Sequence, residues 1–142
     1  MNLFFSKKLI LLCEKYSSFL IRASLAIVFI WFGLLKCLDQ SPAKTLVMHA
    51  FPWQNSAMLV QLIGFWEVLI GCFVLFRKTL KIGLILFLLH APGTFLPFFL
   101  SYNCCFVGSL WNLTLEGQYI IKNLVLISAV IFLIGSLKNQ EE

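Results

Sequence analysis

Residues 19–38 read FLIRASLAIVFIWFGLLKCL, and this stretch decides the fold. It carries two charges, Arg22 near one end and Lys36 near the other, with apolar or small residues between them. A bilayer core about 30 Å thick is crossed by about 20 such residues in a helix. Three further stretches, at about 57–76, 82–100 and 119–137, meet the same requirement, and the segments between them are short. The expected fold is therefore all-α: one integral membrane domain over residues 1–142, built as a four-helix bundle. Residues 1–18 precede the first span. They are read as a cytoplasmic segment with a short interfacial helix over about 3–18. Lys7-Lys8 before Leu9–Cys13 has the charge order of a signal peptide, but the apolar run is too short and lacks a small-residue cleavage site.

Composition agrees with this reading. Hydrophobic residues make up 61% of the 142, mean hydropathy is +0.94, and only 12% are charged. A soluble domain carries about 25% charged residues. The net charge of +5 does not point to nucleic acid, because the basic residues gather at span ends instead of forming a stripe on a polar surface. Lys7, Lys8 and Lys15 precede the first span, and Arg77, Lys78 and Lys81 fill the second turn. Segment 101–118 has no Lys or Arg. The positive-inside rule then places both termini and the 77–81 turn in the cytoplasm and the other two loops outside. Trp53, Trp111 and Tyr119 fall where an outer aromatic belt is expected.

Residues spaced by three and four share a helix face. In the first span Arg22, Ala26, Phe29, Gly33 and Lys36 align, and in the second Ala57, Val60, Gly64, Glu67 and Gly71. Gly83, Phe87, His90, Thr94 and Pro97 align in the third. In the fourth, Gln118, Lys122, Val125, Ala129, Phe132 and Ser136 do. Membrane helices meet through their small residues, so these faces are expected to point inward, and the ionisable residues lie on them. Charge within a span is costly and usually faces a bundle interior. Glu67, His90 and Lys122 are thus the expected polar centre, with Lys36 and Arg22 at its two ends. Arg22 and Lys36 also sit close enough to the interfaces to snorkel. The Pro92-Gly93 pair is expected to kink the third span beside His90.

Five cysteines occur without a Cys-x-x-Cys spacing, so thioredoxin-like chemistry and thiol–zinc sites lack support, and no metal site is expected. Cys37, Cys104 and Cys105 lie on the expected outer side. Either Cys37 pairs with one of the other two in an oxidising compartment, or all three are small apolar fillers. His49 and His90 lie at different depths, which argues against paired haem ligation.

Three short stretches carry a family resemblance. They are Arg22-Ala23-Ser24-Leu25 leading to Phe32-Gly33-Leu34-Leu35-Lys36, then Glu67-Val68-Leu69-Ile70-Gly71, then Gly117-Gln118-Tyr119-Ile120-Ile121-Lys122-Asn123-Leu124. In this order they resemble the first, second and fourth spans of the DoxX-like membrane proteins, including the YkgB-like relatives. The third span and the Cys104-Cys105 loop depart from that pattern. The resemblance implies a multi-pass protein of the bacterial inner membrane. It further implies an accessory subunit in redox or oxidant-stress chemistry, with a quinone or small-ligand site in the bundle and a redox-enzyme partner or a second copy. Any enzyme role would be that of an oxidoreductase subunit and not of a stand-alone enzyme. The competing reading is a non-catalytic membrane scaffold or assembly chaperone, in which the polar seam only sets helix register.

Overall fold

The computed structural model describes residues 6–42, 44–50 and 56–138. The elements run α1 (Lys7–Cys37), α2 (Lys44–Ala50), α3 (Ser56–Leu75), a 3-10 turn (Arg77–Thr79), α4 (Leu80–Leu100), α5 (Tyr102–Cys105), β1 (Phe106–Val107), β2 (Ser109–Leu113) and α6 (Leu115–Lys138). Helices α1, α3, α4 and α6 are each long and apolar enough to cross a membrane, which makes this an all-α, multi-pass membrane protein. They close into a bundle in chain order, α1 on α3, α3 on α4, α4 on α6 and α6 back on α1.

The segment before the first span differs from expectation. Among the described residues there is no separate interfacial helix; α1 is one helix of 31 residues. Nothing interrupts it, because Lys7–Cys37 contains no proline and its one glycine is Gly33. Ser17 is absorbed into the helix, its hydroxyl donating back to the Glu14 carbonyl at 3.1 Å. At about 1.5 Å per residue such a helix is about 46 Å long, well beyond a hydrocarbon core of about 30 Å. Its basic first turns therefore extend past the bundle. The expected residues 3–5 of the interfacial helix, and Trp53, lie outside the described residues.

Turn chemistry ends α1 cleanly. Asp39 takes a left-handed conformation (φ 60°), and its N–H donates to the Lys36 carbonyl while that of Gln40 donates to the Leu35 carbonyl. This is the Schellman arrangement, and it turns the chain into α2. At the same end of the bundle, segment 101–118 is more ordered than a plain loop. β1 and β2 form a small antiparallel ribbon, pairing Phe106 with Leu113 and Val107 with Ser109. Gly108 (φ 70°) sits at the turn. Thr114 caps α6, its hydroxyl accepting from the Gly117 N–H at 3.1 Å.

The apolar core occupies the half of the bundle nearest the 77–79 turn. It comprises Leu25 and Phe29 of α1, Ile70 and Val74 of α3, Leu80, Leu84 and Phe87 of α4, and Val130 and Leu133 of α6. Three of the four expected faces point inward. Arg22, Ala26, Phe29, Gly33 and Lys36 are all buried, as are Val60, Gly64, Glu67 and Gly71, and Gly83, Phe87 and Pro97, while His90 and Thr94 are half-buried and Ala57, at the start of α3, is exposed. The fourth is a correction. In α6 the buried residues are Gly117, Ile120, Val130 and Leu133, while Gln118, Lys122, Val125 and Phe132 are exposed. Helix α6 is apolar on all sides, so its polar residues were a poor guide to its packing face.

Candidate functional site

The position of the site follows from how α1 and α3 approach. A Cβ added at Gly33 would lie 2.6 Å from the Gly64 carbonyl oxygen, and one added at Gly64 would lie 2.6 Å from the Gly33 carbonyl oxygen. Lower down, a Cβ at Gly71 would meet Ile30 at 2.7 Å and the Ala26 carbonyl oxygen at 2.9 Å. Glycine is therefore required at these crossings, and backbone contacts backbone. Lys36 and Glu67 each lie one helical turn beyond a glycine of the Gly33–Gly64 crossing, so the close approach brings them together.

Lys36 belongs to the last turn of α1, but its side chain does not reach outward. Helical side chains lean toward the N-terminus of their helix, which here aims the lysine stem into the bundle. Its Nζ donates to Glu67 Oε2 at 2.5 Å. Both side chains are about one-tenth exposed. From the other side, His90 of α4 places Nε2 at 3.4 Å from Glu67 Oε1. Two basic side chains, from α1 and α4, thus meet at one carboxylate of α3. His90 is the middle residue of α4, about 15 Å from either end.

Aromatic side chains enclose the group on the core side. The Phe29 ring meets the His90 ring edge-on with centroids 6.2 Å apart, and Phe87 meets Phe29 in the same manner at 5.5 Å. Trp66, adjacent to Glu67, donates its indole N–H to the Leu86 carbonyl at 3.3 Å, which fixes the register of α3 against α4 at this level. Residue spacing alone gives Trp66 and Phe29 no site role. A tryptophan beside an in-span glutamate is a usable signal, because an indole N–H away from water needs an acceptor.

One expected member of the centre, Lys122, lies elsewhere, and Arg22 keeps to the far end of the bundle as expected. Lys122 is exposed on α6, its Nζ 3.9 Å from the Tyr119 ring centroid. It makes a cation–π contact near the end of the helix instead of joining Glu67. Arg22 is buried but acts at the opposite end of the bundle. Its Nε donates to the Ser18 carbonyl at 3.2 Å and its Nη1 to the Leu75 carbonyl at 3.3 Å. Leu75 ends α3, so Arg22 satisfies one of the carbonyls that a helix C-terminus leaves unpaired, with a charge that suits the helix dipole. About 12 Å of helix separates Leu75 from Glu67.

Helix α4 runs unbroken through Pro92 and Pro97. Pro92 and Gly93 are both exposed, and nothing lies within 4 Å of a Cβ placed at Gly93, so this pair faces away from the triad. All five cysteines are free thiols, and the candidate pairing of Cys37 with Cys104 or Cys105 is not formed. Cys37 instead directs its Sγ at the Gln61 carbonyl, 3.8 Å away. Cys105, the last residue of α5, is fully buried. Burial pushes its thiol pKa up, and the neighbouring Cys104 and Glu116 add to the shift.

The arrangement can hold, share and release a proton. A carboxylate accepts from a lysine ammonium on one oxygen and faces an imidazole nitrogen on the other. No family model, no curated protein and no solved structure matches this chain.

Proposed function

We propose that this chain is a DoxX-like accessory subunit of the bacterial inner membrane, with both termini cytoplasmic, that supports redox or oxidant-stress chemistry. In this reading the Lys36–Glu67–His90 triad is a protonatable centre serving a quinone head group or a small polar ligand. Electrons come from a partner redox enzyme, and the triad supplies or accepts the protons that accompany them. The carrying observation is the convergence of three ionisable side chains, from three helices, at mid-bundle. Groups placed so expensively mark functional pathways by default. Lysines 7, 8 and 15 and the Arg77–Lys81 turn support the orientation through the positive-inside rule.

The test is oxidant resistance measured together with membrane protein level for Glu67→Gln, His90→Ala and Lys36→Met, with bound quinone sought in the detergent-purified protein. Lost resistance at normal abundance supports the reading. Resistance that merely tracks abundance, with no bound ligand, removes it.

One observation favours the second reading, a membrane scaffold. Both oxygens of Glu67 already face groups of the same chain. As a fastener, the triad would hold α1, α3 and α4 in register for a partner to assemble on. Variants would then lose partner assembly in step with stability.

A further inference from the structure

On the outer surface of the bundle, the seam between α1 and α3 carries a groove of about 270 Å³ lined by Ala23, Ala26, Ile27, Ile30, Trp31 and Leu75. It exists because two alanines stand among larger neighbours. From Ala23 to Trp31 it follows α1 for about 12 Å. All its lining side chains are apolar, and it opens on the face that meets lipid.

The end of this groove is not apolar. Leu75, which closes it, has its carbonyl held by Arg22 Nη1 at 3.3 Å. Arg77 begins the turn two residues later and is exposed. The Leu75 carbonyl thus ties Arg22 to the same end of α3 from which Arg77 follows. Arg22 has five N–H donors, and its bonds to the Ser18 and Leu75 carbonyls use Nε and Nη1. Two like charges at the edge of a low-dielectric medium are unfavourable together, and an anion between them removes the repulsion.

We propose that this seam is an anionic phospholipid site, with the head-group phosphate between Arg22 and Arg77 and one acyl chain along the groove. A phosphate suits a pair of guanidinium groups, which bind its oxygens with fixed geometry. A soluble anion would leave the groove unused. A zwitterionic lipid would bring its own cation to the two arginines. The groove suits one acyl chain and not a helix, which with its side chains is about 10 Å across. Basic pockets between spans on the cytoplasmic side recognise anionic head groups in this way. The proposal does not depend on the redox reading, because the groove and the triad lie at different levels of the bundle.

The full chain reconstituted in vesicles provides the test, because Trp31 lines the groove. Acyl-brominated phosphatidylglycerol and acyl-brominated phosphatidylcholine are titrated separately, and the tryptophan quenching that disappears in Trp31→Phe is assigned to Trp31. Phosphatidylglycerol is expected to quench Trp31 at a lower mole fraction, with a selectivity of about five-fold for each contributing arginine. Arg77→Gln should reduce that selectivity by about the same factor. Ala23→Leu, which fills the groove and leaves both charges in place, should reduce phosphatidylglycerol quenching to the phosphatidylcholine level. Since Arg22 also caps α3, these two variants carry the test without requiring Arg22→Gln to fold. Equal quenching by the two lipids would overturn the proposal, as would a selectivity that survives both substitutions.

Discussion

Lys36 Nζ lies 2.5 Å from Glu67 Oε2, although Lys36 sits in the last turn of α1 and Glu67 near the middle of α3. The lysine stem runs down the helix surface into the bundle, where a lysine at a span end would more commonly extend to the interface. A buried pair is a hazard as well as an attraction, since removing one partner strands the other charge.

Single substitutions at this pair are therefore expected to be costly and the double substitution less so. Lys36→Met or Glu67→Leu alone should destabilise by about 3–5 kcal/mol. The combined variant should recover much of that loss, because it leaves no unpaired charge. Thermal unfolding in detergent across the four proteins of the cycle measures this. Additive losses would mean that the two side chains do not interact.

The glycines of the α1–α3 crossing should behave unlike those elsewhere. Gly64→Ala places a methyl group against the Gly33 carbonyl oxygen and the Lys36 Cβ, each 2.6 Å away. Overpacking of this kind costs about 1–3 kcal/mol. Gly93→Ala and Gly135→Ala meet nothing within 4 Å and should stabilise by up to about 1 kcal/mol through helix propensity. Unfolding midpoints that moved equally for all three would contradict the crossing geometry.

On α6, Lys122→Met should leave stability within about 0.5 kcal/mol of the unmodified protein, as expected for an exposed position. Leu133→Ala on the same helix should cost about 2–5 kcal/mol, since Leu133 is fully buried. The same thermal assay distinguishes the two residues, and a reversed order would restore Lys122 to the interior.

How much of this was legible in the sequence depended on what marked each helix face. In α1, α3 and α4 the ionisable residues and the close-packed glycines lie on one side, so Arg22, Gly33, Lys36, Gly64, Glu67 and His90 were placed correctly relative to the core. In α6 they do not coincide. Lys122 lies near a span end, where a lysine can turn to the surface, and the buried Ile120, Val130 and Leu133 resemble the apolar residues around them. Residue spacing could not reveal that Lys36 turns inward, because both directions are open to a flexible stem. It was equally silent on Arg22, whose partner is a backbone carbonyl 53 positions away. The β1–β2 ribbon was missed because its strands are two and five residues long, too short for an alternating pattern.

The two adjacent cysteines should differ in reactivity. Cys105 is fully buried and its thiol pKa is raised. A raised pKa keeps the thiol protonated to higher pH, so its reactive thiolate should remain scarce where an ordinary cysteine begins to ionise, near pH 8.5. Cys104 is only partly buried. With single-cysteine variants, maleimide should label Cys104 readily at pH 7–8 and Cys105 only after unfolding. Equal labelling rates in the folded protein would place Cys105 at the surface.

The meeting of α1 and α3 at the Glu67 carboxylate, on which the site rests, is tested most directly by a distance measured in lipid. Protein carrying ¹⁵N at lysine Nζ and ¹³C at the glutamate carboxyl, reconstituted in bilayers, permits a dipolar-coupling measurement between Lys36 and Glu67. The signal is assigned by its loss in Glu67→Gln. Direct contact requires a separation of about 4 Å or less, and coupling of that strength is the predicted result. A folded protein in which the Glu67 carboxyl shows no coupling to any lysine Nζ would contradict it.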